Sequence, residues 1–284
     1  MTAPAPGWVK ERLRTLGWLR NGRPSLDQLR AALRQYQEFH GLAIPSGDFD
    51  GDTKRSLLAP RFCGCPDVME QRAGVSKWPM KDITMAIAGK LPGFADSDFH
   101  SAAEECCRLW NGTSGIRLAM STNPRTANIV MGTGPIDSAG DTLAWSELPN
   151  GTKRQLRQKY DTYERWALFA GWRNGWMDAL RVITHEVGHA CGLGHGPAGC
   201  QMAPTVSEIR APRAWDIREM VARYGAASPS APPADPAPTP AGPPPANPAP
   251  PAGGGSVLTI QLQGAIEAIH IPGYRITKLQ PSSN

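Results

Sequence analysis

The histidines of this chain are concentrated at one place, and this constrains the fold more than any other feature of the sequence. Three of the six histidines, His185, His189 and His195, fall within eleven positions. On an α-helix, residues four apart lie on one face about one turn apart, so His185 and His189 are spaced to bind one metal ion. His195 would point to the other side of the same helix, and the helix therefore has to end before it.

Gly192 stands where this turn is needed. A glycine just after a helix adopts positive φ at little cost, and the reversed chain would bring His195 to the ion as a third ligand. Three imidazoles leave a fourth position open for water, as in catalytic zinc sites and unlike closed structural ones. Zinc fits best among the common metals, because it accepts neutral imidazole nitrogens and has no d-electron preference for geometry.

Glu186 follows the first histidine and is not needed as a ligand. Its predicted role is that of a general base, which takes a proton from a zinc-activated water attacking a carbonyl and returns it to the leaving amine. The full pattern at residues 185–195 is H-E-x-x-H-x-x-G-x-x-H. Residue frequencies give it a chance expectation on the order of one in 10⁵ for a chain of this length. The sequence therefore predicts a zinc-dependent endopeptidase, with a protein or peptide as its substrate.

Helical patterns dominate the N-terminal part of the chain. Ser25 is a suitable N-cap, and the helical period that follows it ends at Gly41. The apolar positions of that period are Leu26, Leu29, Leu33, Tyr36 and either Phe39 or Gln37. A turn-rich stretch then precedes a short helix in "DTKRSLL". We predict a small three-helix module at residues 8–67.

The pattern changes to mixed helix and strand over residues 77–225. Strands are predicted in "DITMAIAG", "IRLAMS" and "ANIVMGTG", and helices in "DSDFHSAAEECCRLWNG", "WMDALRVITHEVGHACG" and "AWDIREMVARYG". Alternating strands and long helices indicate an α+β domain with a sheet backed by helices. Residues 226–252 are rich in proline and alanine and predict a disordered linker, and residues 253–284 a short β-like tail that is a hairpin, a docking segment or a truncated module.

The histidine motif resembles that of the metzincins, and most closely that of the matrixins, the matrix-metalloprotease family. The resemblance rests on "HEVGHACGLGH" followed by "MAP", with Met202 at the position of the Met-turn beneath the metal. It continues in "TANIVMG", in "TLAWSELP" and in "AWDIREMVARYG", which is similar to the C-terminal helix of matrixins. The resemblance implies a metzincin-type catalytic domain with a mixed sheet, at residues 77–225.

The N-terminal module resembles a matrixin propeptide, which is peptidoglycan-binding-like and ends in a cysteine-switch motif. The motif stands here as "PRFCGCPD", in which Phe62 is an extra residue and Cys65 a second thiol near Cys63. The resemblance implies a latent zymogen in which Cys63 takes the open zinc position and Arg61 pairs with Asp67. Activation is expected from cleavage between Asp67 and Trp78.

Other ligand sites are less clearly marked. Animal matrixins hold a structural zinc through further histidines, but none lies between His100 and His185, so we predict no structural zinc. Calcium is a further candidate cofactor at acids such as Asp137, Asp141 and Glu164, against the alternative that these are ordinary loop acids. Cys191 and Cys200 bracket the third histidine, and either a disulfide between them or two buried thiols fits the sequence.

Charge and hydropathy exclude two classes of partner. The formal charge of +5 is spread along the chain without a basic run interleaved with aromatic residues, so we predict no nucleic-acid partner. No stretch of about 18 apolar residues predicts a membrane span. The N-terminus lacks the apolar region of a signal peptide, whereas matrixins are typically secreted, so location stays open.

Two other functions remain to be distinguished from the endopeptidase. In the first, the N-terminal module binds peptidoglycan and the protein is a cell-wall metallohydrolase that cuts cross-link peptides. In the second, the chain is a binding module with an idle site. Weak or absent metal binding would indicate the idle site.

Overall fold

The computed structural model describes residues 5–68, 77–168 and 175–227. They lie in the first of two units into which the chain divides, Met1–Pro233. Three predicted features fall wholly or mostly outside the described residues: the activation segment between Asp67 and Trp78, the linker at 226–252 and the tail at 253–284.

Three helices precede the switch motif: α1 (Gly7–Thr15), α2 (Leu26–Phe39) and α3 (Gly51–Leu57). The N-cap of α2 is Ser25, whose hydroxyl accepts from the Gln28 amide at 3.2 Å while the Gln28 side chain accepts from the Ser25 amide at 2.8 Å. The helices share an apolar cluster of Val9, Leu13, Leu16, Leu29, Leu33, Tyr36 and Leu57. Leu26 was expected in this core but is 62% exposed, because the buried face of α2 begins one turn later at Leu29.

Within the described residues, six strands form one mixed sheet in the order β1-β5-β6-β4-β2-β3. Their bounds are β1 (Arg61–Cys63), β2 (Asp82–Ile87), β3 (Arg117–Met120), β4 (Ile129–Gly134), β5 (Thr142–Ser146) and β6 (Leu156–Asp161). β5 is antiparallel to β6, and the other neighbouring strands are parallel. The predicted α+β class is confirmed, and so are the three predicted strands, which are β2, β3 and β4. β1, from the switch motif, forms one edge.

Three further helices lie in the described part of the chain: α4 (Asp96–Trp110), α5 (Ala179–Ala190) and α6 (Ala214–Tyr224). The prediction that the α5 helix begins at Trp176 is wrong. Trp176–Asp178 is a short strand, β8, paired in parallel with β7 (Arg165–Ala167). Asp178 ends β8 and begins the helix, because its carboxylate accepts from the Leu180 amide at 3.1 Å and so caps α5.

Every residue of α5 is buried, and side chains from three other parts of the chain hold its backbone. Trp78 Nε1 donates to the Ala190 carbonyl at 2.8 Å, and the Tyr224 hydroxyl donates to the Cys191 carbonyl at 2.9 Å. Trp110 Nε1 donates to the Thr184 carbonyl at 3.1 Å. The bonds to Ala190 and Cys191 satisfy carbonyls at the C-terminal end of the helix, and the three bonds together hold the helix that carries the histidines.

Two further predictions concern cysteines and membranes. All six cysteines are free thiols. Cys191 and Cys200 are therefore two buried thiols in this structure and do not form a disulfide. No helix among the described residues is long and apolar enough to cross a bilayer.

Candidate metal centre

The structure brings the three predicted histidines together. His185 and His189 lie on α5, and the chain turns at Gly192, which has a φ of 91°. The ligand atoms of His185, His189, His195 and Cys63 all lie within 4.8 Å of one another, and the four residues are buried. Two imidazoles on one helix and a third from the following turn, together with the thiol of Cys63, form a cluster that could hold one metal ion.

The second nitrogen of each imidazole is held by the backbone. Each Nδ1 lies within hydrogen-bonding distance of a carbonyl oxygen: that of Gln201 for His185 (3.0 Å), Leu193 for His189 (2.8 Å) and Pro66 for His195 (2.9 Å). A carbonyl only accepts, so each Nδ1 carries the proton and each Nε2 keeps its lone pair for a ligand bond. These three carbonyls could not be found from residue types, because any residue supplies one.

Several buried polar atoms at this centre lack a protein partner. His185 Nε2 and both carboxylate oxygens of Glu186 are buried without a hydrogen bond in the described structure. Buried polar atoms are rarely left unpaired, so these atoms are available to an ion, a ligand or water. Imidazole nitrogens together with a thiol sulfur are donors that zinc prefers, and the residues therefore fit a zinc ion.

Burial sets the protonation of these groups. It lowers the pKa of His185 and of His195 well below the usual value, which keeps both imidazoles neutral and able to bind a metal. Burial also raises the pKa of Glu186 well above its usual value. A carboxylate with a raised pKa is a stronger base, which suits a group that accepts a proton near neutral pH.

Cys63 reaches the centre from the N-terminal part of the chain. Its Sγ lies 3.1 Å from His195 Nε2 and 3.4 Å from His189 Nε2. Cys65, the alternative thiol, is outside this ligand group, and its amide donates to Cys63 Sγ at 3.3 Å. Burial raises the pKa of the Cys63 thiol, and a bound cation would favour the thiolate.

The extra residue Phe62 does not prevent the ion pair between Arg61 and Asp67. Arg61 Nη2 lies 2.5 Å from Asp67 Oδ1, and both side chains are buried. Asp67 Oδ2 also accepts from Trp18 Nε1 at 2.8 Å and lies 3.0 Å from His40 Nε2. Asp67 therefore ties the switch motif to α2 and to the loop after α1.

Met202 is fully buried beside α5. A side chain at Gly188 would place its Cβ 2.3 Å from the Met202 sulfur, so this position requires a glycine. The sequence carries one signal of this contact, which is a glycine inside a helical pattern, Gly188. A glycine there costs about 1 kcal/mol relative to alanine, and its presence usually indicates a close packing partner.

Asp216 on α6 supports the loop that holds the first histidine. Its carboxylate is fully buried and accepts from the amides of Gln201 (2.9 Å), Met202 (3.0 Å) and Arg213 (2.7 Å). Because the Gln201 carbonyl orients His185, Asp216 links α6 to the metal centre.

Replacement of Asp216 with alanine is expected to lower the free energy of unfolding by about 3 kcal/mol or more, because three backbone donors lose their acceptor at about 1–3 kcal/mol each. The variant should also lose zinc to a chelator faster than the wild type. Urea unfolding and chelator competition measure the two effects. The exposed acid Asp96 provides the control, since its replacement should change neither quantity. Unaltered stability of Asp216→Ala would contradict this role.

The acids considered for calcium have backbone partners. The Glu164 carboxylate accepts from the Gly140 amide at 2.6 Å, and that of Asp137 from the Thr142 amide at 3.3 Å. Burial raises the pKa of Glu164, and the neighbouring acids Asp161, Asp137 and Asp141 raise it further. Calcium binding here stays a prediction, as does the lack of a structural zinc.

Comparison with known proteins identifies the class to which this fold and site belong. The family model described as matrixin matches residues 77–220, which is half of the chain's 284 residues. Interstitial collagenase from Equus caballus is 30% identical over 172 residues, which cover 57% of this chain and 35% of the collagenase. Matrix metalloproteinase-20 from Homo sapiens is 26% identical over 208 residues, covering 68% of this chain and 41% of that protein.

The chain therefore belongs to the matrixin family, whose members use zinc. It spans little more than a third of the length of the collagenases that it matches.

Proposed function

We propose that this protein is a zinc-dependent endopeptidase made as a latent zymogen. The observation that carries the proposal is the buried convergence of three imidazole Nε2 atoms with Cys63 Sγ, beside the unpaired carboxylate of Glu186. In this proposal residues 8–67 are the propeptide and residues 77–225 the catalytic domain.

Each side chain has one role in the reaction. His185, His189 and His195 would hold the zinc ion, and Met202 packs beside α5 at Gly188. When bound, zinc supplies a Lewis acid that polarises a peptide carbonyl and activates water. Glu186 accepts a proton from the attacking water and returns it to the leaving amine nitrogen.

Latency comes from the segment that contains Cys63. On one side β1 pairs with β5, and Cys63 is opposite Ala144. On the other side Arg61 forms an isolated antiparallel β-bridge with Thr205. In this proposal the segment, which contacts the three histidines through Phe62 and Cys63, hinders a substrate peptide from reaching them. Cys63 would be a fourth ligand to a bound zinc ion and would take the position that the reacting water needs.

The test compares the full chain with the chain cut between Asp67 and Trp78. We expect one zinc per chain in both forms, and casein hydrolysis by the cut form only. Zinc binding without hydrolysis of casein or gelatin by the cut form would contradict the proposal. Lack of zinc in both forms would indicate the idle binding module instead.

Replacement of Asp67 with asparagine is expected to weaken latency. Removing one partner of a buried ion pair costs about 3–5 kcal/mol, because the Arg61 guanidinium is left buried without its counter-charge. The uncut variant should therefore hydrolyse a fluorogenic peptide faster than the uncut wild type.

The matched control for Asp67→Asn is Asp82→Asn. Asp82 also pairs with an arginine, Arg117, at 2.5 Å, but both side chains are exposed, and exposed pairs contribute little. Uncut Asp82→Asn should stay as latent as the wild type. If uncut Asp67→Asn and uncut Asp82→Asn hydrolyse the peptide equally slowly, the buried pair of Arg61 and Asp67 does not maintain latency.

The cell-wall alternative remains a hypothesis, and the place to test it is an open groove in the N-terminal module. The groove has a volume of about 450 Å³ and is lined by apolar and polar groups, among them Trp18, Arg20, Arg23, Gln28 and Gln35. Arginine and amide side chains are suited to carboxylates and amides such as those of peptidoglycan. A zymogram on purified peptidoglycan, beside one on casein, separates the two functions.

A further inference from the structure

The second thiol of the switch motif has no part in the proposed reaction. Cys65 lies two residues after Cys63 and outside the group of ligand atoms that converge at the metal centre. All six cysteines are within the described residues, and Cys65 is partly exposed whereas the other five are buried. Cys65 is therefore the thiol of this chain that is most open to a reagent from solution.

The backbone brings the thiols of Cys63 and Cys65 together. β1 ends at Cys63, and the chain bends directly afterwards, at residues 64 and 65. The Cys65 amide donates to Cys63 Sγ at 3.3 Å. A hydrogen bond with the Cys63 thiol lowers the pKa of the Cys65 thiol, which also indicates that the two side chains are neighbours.

Gly64 gives the segment between the two thiols the freedom to close a small ring. In the present conformation Gly64 is not among the glycines with positive φ. A Cβ at this position would meet the Thr142 side chain at an ordinary distance of 3.5 Å, so packing does not require a glycine either. A disulfide needs its two Cα atoms within about 7 Å, and a glycine between them adopts backbone angles that other residues avoid.

We propose that Cys63 and Cys65 are a redox site that closes to an intramolecular disulfide, and that this disulfide removes Cys63 from the histidines of the uncut chain. Cys65 is the additional thiol of "PRFCGCPD", so the resemblance of the motif to the family does not supply this site. The effect on latency rests on the proposed zymogen, whereas formation of the disulfide does not.

The oxidant is a low-molecular-weight disulfide, for which glutathione disulfide is the probe. The Cys65 thiolate attacks one of its sulfur atoms, the sulfur–sulfur bond breaks, and one glutathione thiolate leaves. The Cys63 thiolate then attacks the Cys65 sulfur of this mixed disulfide and releases the second glutathione. The two protein thiols lose two electrons and two protons, and one glutathione disulfide becomes two glutathione thiols.

The disulfide changes what Cys63 can bind. The thiolate is the form of cysteine that binds a metal, and a sulfur atom within a disulfide is not a thiolate. Cys63 Sγ now lies 3.4 Å from His189 Nε2 and 3.1 Å from His195 Nε2, where it would be the fourth ligand. Oxidation would open that position in the uncut chain, and a reductant would restore both thiols.

The first experiment detects the disulfide and does not depend on catalysis. The uncut, zinc-loaded chain is equilibrated with glutathione disulfide, denatured, alkylated and digested with trypsin for mass spectrometry. The peptide 62–72 contains both cysteines. It should carry no alkyl group and be lighter by two hydrogen atoms than the reduced peptide. The chain should keep four of its six thiols, because two have joined.

Cys65→Ser and Cys200→Ser are the controls for the digest. Cys65→Ser lacks the partner thiol, so its Cys63 should be recovered as an alkylated thiol. Cys200→Ser removes a buried thiol elsewhere and should form the disulfide as the wild type does. Alkylation of both cysteines in the wild-type peptide, or a glutathione that stays on Cys65, would overturn the proposal.

The second experiment measures hydrolysis of a fluorogenic peptide by the uncut chain. The oxidised wild type should hydrolyse it at least about 10-fold faster than the reduced chain, and tris(carboxyethyl)phosphine should restore latency. Treatment with glutathione disulfide should leave Cys65→Ser latent.

The chain cut between Asp67 and Trp78 separates failure of this proposal from failure of the endopeptidase. If the disulfide forms and the cut chain is active, but oxidation does not raise hydrolysis by the uncut chain, the effect on latency is overturned. If the cut chain is inactive as well, the proposed endopeptidase fails and the effect on latency with it. The digest then still decides whether Cys63 and Cys65 form the disulfide.

Discussion

Replacing Glu186 with glutamine is expected to lower peptide hydrolysis by the cut protein about 10²- to 10⁴-fold while zinc stays bound. The glutamine amide has nearly the same size but cannot accept the proton of the attacking water. Glu186 is not in the ligand group, so the zinc content should equal that of the wild type. Hydrolysis of a fluorogenic peptide and elemental analysis measure the two quantities.

Two variants make the Glu186 result specific. Glu104→Gln alters an exposed carboxylate on α4 and should retain full activity. His189→Ala removes a ligand and should lose both zinc and activity. Glu186→Gln with wild-type activity would contradict the general-base role. If it loses zinc as His189→Ala does, the loss of activity would have to be assigned to the metal instead.

Replacing Cys63 with serine is expected to make the uncut chain active. A serine hydroxyl is a poor zinc ligand at neutral pH, so the fourth position opens while three histidines retain the ion. We expect at least about a 10-fold increase in hydrolysis by the uncut chain. Activity should remain below that of the cut chain, because β1 stays paired with β5 and Phe62 stays stacked on His185.

The control for Cys63→Ser is Cys65→Ser, which changes the same atom two residues away. The Cys65 thiol is outside the ligand group, so this variant should stay latent until it is cut. Latency that is lost in Cys65→Ser and kept in Cys63→Ser would assign the switch to the other thiol. If neither substitution raises hydrolysis by the uncut chain, latency would come from the position of β1 over the histidines and not from a thiol.

Short-range sequence patterns determine much of the secondary structure and the histidine cluster of this protein. The spacing of His185, His189 and His195 around Gly192 follows from helix geometry and from the φ freedom of glycine, so the histidine cluster was predictable without a structure. The capped helix α2, the alternating strands β2, β3 and β4, and the Asp216-containing helix α6 also follow from short-range patterns. Local patterns failed where neighbouring elements compete, as at Trp176–Asp178, where pairing with β7 favours a strand directly before the cap of α5.

Spacing along the chain does not determine which distant groups meet, and the tertiary structure does. Cys63 contacts His189 and His195 across 126 and 132 residues; the resemblance of the switch motif implied this contact, but such a contact leaves no periodic trace in the sequence. The Pro66 carbonyl that orients His195 and the packing of Met202 on Gly188 are further examples. Phe62 is the clearest one: in the sequence it only interrupts a motif, whereas the fold buries its ring on His185. Close packing between residues far apart in the chain depends on the whole fold, which local spacing does not contain.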